Sequence, residues 1–150
     1  MKIKKSKGFT LIELLLVIIL ISVIAAMVIP RFAGRSEKAK QTAAYADINT
    51  NLSIALDLYE MDNNSYPGTE QGLRALQRLP ELPPQPRNWQ GPYIKENKKL
   101  TDPWNNPYHY SYPGIHNEAS YDLFSVGPDG VEGTSDDITN WIDEDASNEQ

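Results

Sequence analysis

Cysteine is absent from all 150 residues. That excludes a disulfide framework, a thiolate metal site and a cysteine nucleophile, so the folded part has to hold together by packing and polar contacts alone. Histidine is scarce: His109 and His116 are the two present, and neither stands at a metal-ligand or nucleophile-base spacing. His109 alternates with Tyr108 and Tyr110 and reads as a sheet-face residue. Ser6 lies in a lysine-rich leader and Ser22 in an apolar run, which suits no triad. Asp102, followed by Pro103 and Trp104, reads as a turn residue rather than half of an acid pair. No enzyme is expected. Basic charge is thin as well, with a formal net charge of -6 although Lys2, Lys4, Lys5 and Lys7 crowd the first eight positions. A body this acidic excludes nucleic acid as a partner. There is no internal repeat, and the length allows one small domain beside one apolar segment.

That apolar segment dominates the N-terminal part. From Leu14 to Ile29 the sequence LLLVIILISVIAAMVI carries no charge, and extended back to Phe9 it is long enough to cross a hydrocarbon core of roughly 30 Å as a helix. The lysines in front of it should stay cytoplasmic, which places everything after Arg31 on the far side. An ordinary secretory signal would use Ala25-Ala26 as its small-residue cleavage site and leave Met27 at the mature N-terminus. Its apolar core, however, is usually only about 7 to 15 residues. The run here is longer, and it holds Glu13. A carboxylate within a membrane helix costs about 2.5 to 3.5 kcal/mol at the centre and less near the interface, so Glu13 needs a partner or a purpose.

The stretch GFTLIELLLVIILISVIAAMVIP resembles the class III leader of type IV pilins and type II secretion pseudopilins. The resemblance implies that a prepilin peptidase cuts between Gly8 and Phe9 and methylates Phe9. It also implies an assembly role for Glu13, which would pair with the Phe9 amine of a neighbouring subunit. Pairing the two groups reduces two buried costs together.

Pro30 stands where the apolar run meets Arg31 and predicts a bend rather than a stop. Helical spacing resumes after it, with Ile48, Leu52, Ala55, Leu56 and Tyr59 at intervals of three and four. A helix from Phe9 to about Met61 is expected, apolar in its first half and amphipathic in its second, ended by Asp62-Asn63-Asn64-Ser65 and Pro67. Thr69 then caps a short helix with Leu73, Leu76 and Leu79 on one face. Pro80, Pro83, Pro84, Pro86 and Pro92 follow, with Trp89 and Tyr93 to anchor them as a packed loop. Three aromatic or alternating runs, 108–112, 121–126 and 138–141, read as strands of a small antiparallel sheet. The fold class is α+β: a long N-terminal helix packed on a three-stranded antiparallel sheet, pilin-like. The organisation is a leader over 1–8, a transmembrane and filament-core helix over 9–30, and a periplasmic domain over 31–150.

YPGTEQGLRAL, WQGPYI, DPWNNPYHY and DLFSVGPDGVEGTSDDITNW, in that order, resemble the major pseudopilin (protein G) family of type II secretion. A type IV pilin or a minor pseudopilin is the nearer alternative; the missing cysteines set the chain apart from many type IV pilins, and Glu13 from minor tip pseudopilins, which often lack that glutamate. The resemblance implies a homo-oligomeric filament that pushes folded proteins through the outer membrane. Minor pseudopilins, the prepilin peptidase and an inner-membrane secretion platform would be its partners. The subunit would wait as a single-pass inner-membrane protein, N-terminus cytoplasmic and domain periplasmic. A calcium-dependent secreted binding module with an ordinary signal peptide is the reading from a different class.

The loop Gly127–Asp137 places three aspartates and a glutamate among glycines. Carboxylates and carbonyls on a flexible chain suit a hard cation. With Asp129 as first ligand, Thr134 and Asn140 fall where an EF-hand needs glycine and glutamate, so no EF-hand is present. By spacing alone a solvated acidic turn competes with a metal site. The family resemblance implies structural calcium held by Asp129, Asp136 and Asp137, with carbonyl oxygens of Val126 and Val131. Glu132 and the tail acids Asp143, Glu144, Asp145 and Glu149 read as solubilising charge.

Overall fold

The computed structural model describes residues 8–142, with 27–33 described by backbone alone. The leader to Lys7 and the tail from Asp143 lie outside the described residues. The described chain divides into two units, the boundary falling between Ala39 and Lys40.

The first unit is helical. Helix α1, Leu11–Ala46, passes through Pro30 without interruption and continues into the second unit. Its start is a capping box: the Thr10 backbone N–H and hydroxyl both donate to Glu13 Oε2, at 2.8 and 2.9 Å, and the Glu13 N–H donates back to Thr10 Oγ1. Such reciprocal bonds satisfy donors that a helix N-terminus otherwise leaves unpaired. Within this unit the apolar side chains from Leu11 to Ile24 face outward, between about half and four-fifths exposed. Among the described residues no helix is long and apolar enough to cross a membrane. The expected span over 9–30 runs on through 27–30, whose side chains lie outside the described residues.

The second unit contains the core. Ala44, Ile48, Leu52, Ala55, Leu56 and Tyr59 are all buried. The steps from Ala44 to Ile48 to Leu52 are four residues each, and four residues overshoot one α-helical turn by about 40°. A π-helical turn at Asp47–Asn51 absorbs that drift before α2, Leu52–Asn63, begins. The turn also aims Asp47 sideways: Lys98 Nζ lies 2.7 Å from its Oδ1, and Tyr108 donates its hydroxyl to Oδ2 at 3.2 Å. Burial pushes the Asp47 carboxyl up, but Lys98 and Asn51 outweigh it and hold the net value below the usual range. Helix α2 ends as the sequence indicates, on Asn64 in the left-handed region at φ 58°, its N–H closing on Glu60 O at 2.7 Å.

The short second helix is a single 3-10 turn, Gly72–Leu76. Its expected cap is not used: Thr69 instead exchanges hydrogen bonds with the backbone of Tyr112, and Gln71 Oε1 accepts from the Gly68 N–H. Leu73 and Leu76 are buried, whereas Leu79 is exposed because the turn ends before it. The proline-rich stretch is packed, not a free linker. Trp89 Nε1 donates to Ala75 O at 3.0 Å, Tyr93 donates its hydroxyl to Asp62 at 2.8 Å, and the Gln71 amide ties to the carbonyls of Leu82 and Pro84.

Three antiparallel strands follow, β1 His109–Ser111, β2 Asp122–Ser125 and β3 Ile138–Thr139, in the order β1-β2-β3. Tyr110 pairs with Leu123, and Phe124 with both His109 and Thr139. Leu123 is fully buried with Tyr108 and Tyr121 in the core that Ile48, Leu52, Leu56 and Tyr59 build from the helix. The α+β expectation of helix plus three-stranded antiparallel sheet is met.

Candidate functional site

Two of the sites expected from sequence lie in separate units and are described separately. At the N-terminus, Gly8 and Phe9 precede the helix in irregular backbone, Phe9 is 84% exposed, and among the described residues no atom beyond the chain neighbours lies within 4 Å of where a Gly8 Cβ would stand. Glu13, one turn in, is engaged by Thr10. The sequence reading looks to a neighbouring subunit's amine as the partner of Glu13 and does not include this local one, although Thr10-Leu11-Ile12-Glu13 spells the capping-box pattern.

The acidic loop joins β2 to β3 and is anchored at its start by a buried polar knot. Asp102, only 4% exposed, accepts from the backbone N–H groups of Trp104 and Asn106 and from Ser125 Oγ at 2.5 Å. Ser125 Oγ accepts from the Gly127 N–H, while Asn106 Nδ2 donates to Gly127 O at 2.9 Å. The expected Asp-Pro turn is therefore present, but it also fastens the loop. Asp-Pro-Trp-Asn-Asn was legible as a turn; its bond to Ser125 was not, because the partner lies far along the chain.

From Gly127 on, the backbone curls tightly. Gly127 has φ +63°, and a Cβ there would sit 2.5 Å from Asp136 O and 2.7 Å from Asp136 Oδ2. Glycine lets the two ends of the loop meet. Asp136 Oδ1 accepts from the Thr134 hydroxyl at 2.6 Å, and Oδ2 accepts from the Asp129 N–H at 3.3 Å. The Thr134 hydroxyl leads among the interactions that hold the Asp136 carboxyl below its ordinary range. Asp129 Oδ1 accepts from the Val131 N–H at 2.9 Å, and Asp137 Oδ2 from the Gly133 N–H at 2.8 Å.

The fit to a hard cation is mixed in geometry and good in chemistry. Among the described residues no three His, Cys, Asp or Glu side chains are gathered as a metal-binding group. Asp129 and Asp136 meet through a backbone bond, and the Val131 carbonyl is taken by the Thr134 hydroxyl. Val126 is buried at the loop's entrance. Yet Asp137 Oδ1 is buried with no hydrogen-bond partner. An orphaned carboxylate oxygen carries a full desolvation penalty, which a bound cation removes. The donor set is all oxygen, as calcium requires.

The histidines are accounted for by stacking. His109 lies on Phe124 with ring centroids 4.7 Å apart, and His116 lies on Trp141 at 4.1 Å. Nearby, Asp122 accepts from the backbone N–H groups of Ile115, His116 and Asn117. Burial pushes its carboxyl up, but these donors and the His116 charge outweigh it and hold it low.

The prokaryotic N-terminal methylation motif matches residues 3–29. With a long helix leading into a helix-on-sheet domain, this makes the molecule a pilin-like subunit. Type II secretion system protein G matches residues 31–141. Type II secretion system core protein G of Pseudomonas aeruginosa is 45% identical over 145 residues, covering 94% of this chain and 99% of the relative. That of Escherichia coli K12 is 49% identical over 140 residues, covering 91% and 92%. The crystal structure of the major pseudopilin from the type 2 secretion system of enterohaemorrhagic Escherichia coli is 44% identical, with a TM-score of 0.63 over 72% of this chain and 87% of that one. The chain belongs to the type II secretion system protein G family, and its role is that of a major pseudopilin, a structural component of the secretion machinery.

Proposed function

We propose that the chain is inserted in the inner membrane with its leader cytoplasmic, cut between Gly8 and Phe9, and assembled into a helical pseudopilus that drives folded proteins across the outer membrane. The observation that supports this most directly is the joint match of leader and domain, the methylation motif over 3–29 and the protein G family over 31–141. The residues supply a physical route. Cleavage creates a cationic amine at Phe9, and Glu13 exchanges its contacts with Thr10 for that of a neighbour's amine as the helices bundle away from water. Minor pseudopilins, the prepilin peptidase and an inner-membrane platform supply the tip, the cut and the site of assembly. Copies then meet through unlike surfaces that do not close, which yields a filament.

Calcium in the acidic loop completes this reading. Asp129, Asp136 and Asp137 hold it, with carbonyl oxygens of Val126 and Val131. The ion neutralises clustered carboxylates, occupies the orphaned Asp137 oxygen, and converts binding energy into folding energy in a domain without disulfides. Mass analysis of the mature N-terminus tests the first half: methylated Phe9 is expected, and Met27 in its place refutes it. Melting curves with and without chelator test the second. Chelation should lower the melting temperature and Asp136→Ala should remove that sensitivity; curves that coincide refute the ion's role.

A further inference from the structure

From Thr101 to Gln150 the chain has no lysine or arginine at all, and eleven aspartates and glutamates. The basic residues of the second unit all precede Thr101, and most of them share one surface. Arg74 and Arg78 stand exposed on and just beyond the 3-10 turn, and Lys99 is exposed beside them in space. Arg74, Lys98 and Lys99 rim a groove of about 680 Å³ next to β1, with Leu73 and Tyr108 on its apolar side. Arg74 and Arg78 also border two adjoining hollows of about 250 and 510 Å³. Lys98 is bound by Asp47, but Arg74, Arg78 and Lys99 carry no salt bridge among the described residues. The acids nearest in the same hollows are Glu70, Glu81 and Glu96.

We infer that this basic groove is the docking site for the acidic C-terminal segment 143–150 of a second copy of the chain. The segment carries Asp143, Glu144, Asp145 and Glu149 with no basic residue, so charge and occupant are complementary. The direction of the chain favours a neighbour over self-docking. Trp141 leaves β3 against His116 and Phe124, on the sheet face that His109 shares. Tyr108 and Tyr110, alternating with His109, face the core, and the groove opens at their side of β1. The groove thus opens on the face of the sheet opposite to the one against which the described chain ends, which favours a neighbour's segment over the chain's own. A groove on one copy that takes a tail from the next is a heterologous contact that repeats without closing. The inference rests on the assembly reading only in requiring that copies meet.

The absence of cysteine makes the test clean. Full-length copies carrying Arg74→Cys and differently tagged copies carrying Asp145→Cys are produced together with the prepilin peptidase and exposed to a mild oxidant. Arg74 is exposed, so its replacement leaves the buried core intact. A bridged 74-to-145 heterodimer is expected at least tenfold above either homodimer. Its yield should fall severalfold between 0.1 and 1 M salt, as the screening length drops from about 10 to about 3 Å. Arg74→Glu should abolish the contact as read by bridging from Arg78→Cys to Glu149→Cys, and Asp145→Lys should restore it in the same read-out. Filaments that form without the heterodimer overturn the inference, as does a bridge within single chains carrying both cysteines, or a yield indifferent to salt. If bridging occurs but the unsubstituted chain forms no filament, the tail contact stands and the assembly reading fails.

Discussion

Gly127→Ala should be the most damaging single-methyl change in the acidic loop, and Gly133→Ala measures how much of that damage is steric. Both glycines have positive φ, +63° and +85°, so each alanine carries the left-handed penalty of about 1 to 2 kcal/mol. Their surroundings differ. Around Gly133 nothing lies within 4 Å of a new Cβ, whereas at Gly127 the Cβ would meet the Asp136 backbone oxygen at 2.5 Å. A backbone atom cannot rotate away, so Asp136 must shift, and overpacking of this kind typically adds about 1 to 3 kcal/mol. The expected losses are thus about 1 to 2 kcal/mol for Gly133→Ala and about 2 to 5 kcal/mol for Gly127→Ala. At about 4 °C per kcal/mol for a domain of this size, the second variant should melt roughly 8 to 20 °C below the parent. Trp89, Trp104 and Trp141 all lie in the domain, so intrinsic fluorescence of the full chain in detergent follows the transition. Because Gly127→Ala displaces Asp136, it should also blunt the response to calcium, which Gly133→Ala should keep. Two variants that melt within about 3 °C of each other would refute the close-approach argument.

Three further outcomes follow from the geometry. Glu13→Ala should still insert and be cut after Gly8 but assemble poorly, as shown by filament yield under the electron microscope; filaments in normal amounts would defeat the pairing argument. Leu56→Ala, at a fully buried position, should cost about 2 to 5 kcal/mol, read as a lowered denaturant midpoint at unchanged slope. Asp47 and Asp122 have carboxyls held below the ordinary range in the fold. The stability they contribute is therefore present above the unfolded value of about 3.9 and is lost as pH falls through their lower folded values. Asp122→Asn should flatten the acid limb of the stability curve, measured by melts from pH 5 downward.

Much of this molecule can be read from its residues, and what escapes has identifiable causes. The amphipathic half of the helix announces itself through Leu52, Ala55, Leu56 and Tyr59, whose spacing follows the period of the structure they form. The strands are found because Tyr110, Leu123 and Ile138 sit in alternating runs, though each strand is shorter than its run. The flanking residues are drawn off into loops by bonds such as Tyr112 N–H to Thr69 Oγ1. Thr69 itself misleads because a hydroxyl before a helix and a hydroxyl serving a distant backbone look alike in sequence. The leader and the acidic loop were visible as motifs. The Ser125–Asp102 bond that secures the loop was not, since no local pattern encodes a partner 23 residues away.

The π turn at Asp47–Asn51 has a bearing on ancestry. A turn of this kind houses one residue more than an α turn over the same stretch of core, so it is the place where the chain can change length without disturbing either flank. Deleting a single residue there would restore a regular helix, with Ala44 before it and Leu52, Ala55 and Leu56 after it still directed inward. Aligned sequences of the family should therefore differ in length by one residue at this turn while keeping both flanks intact. The chains that lack the extra residue should carry no counterpart of the sideways Asp47 contact with Lys98.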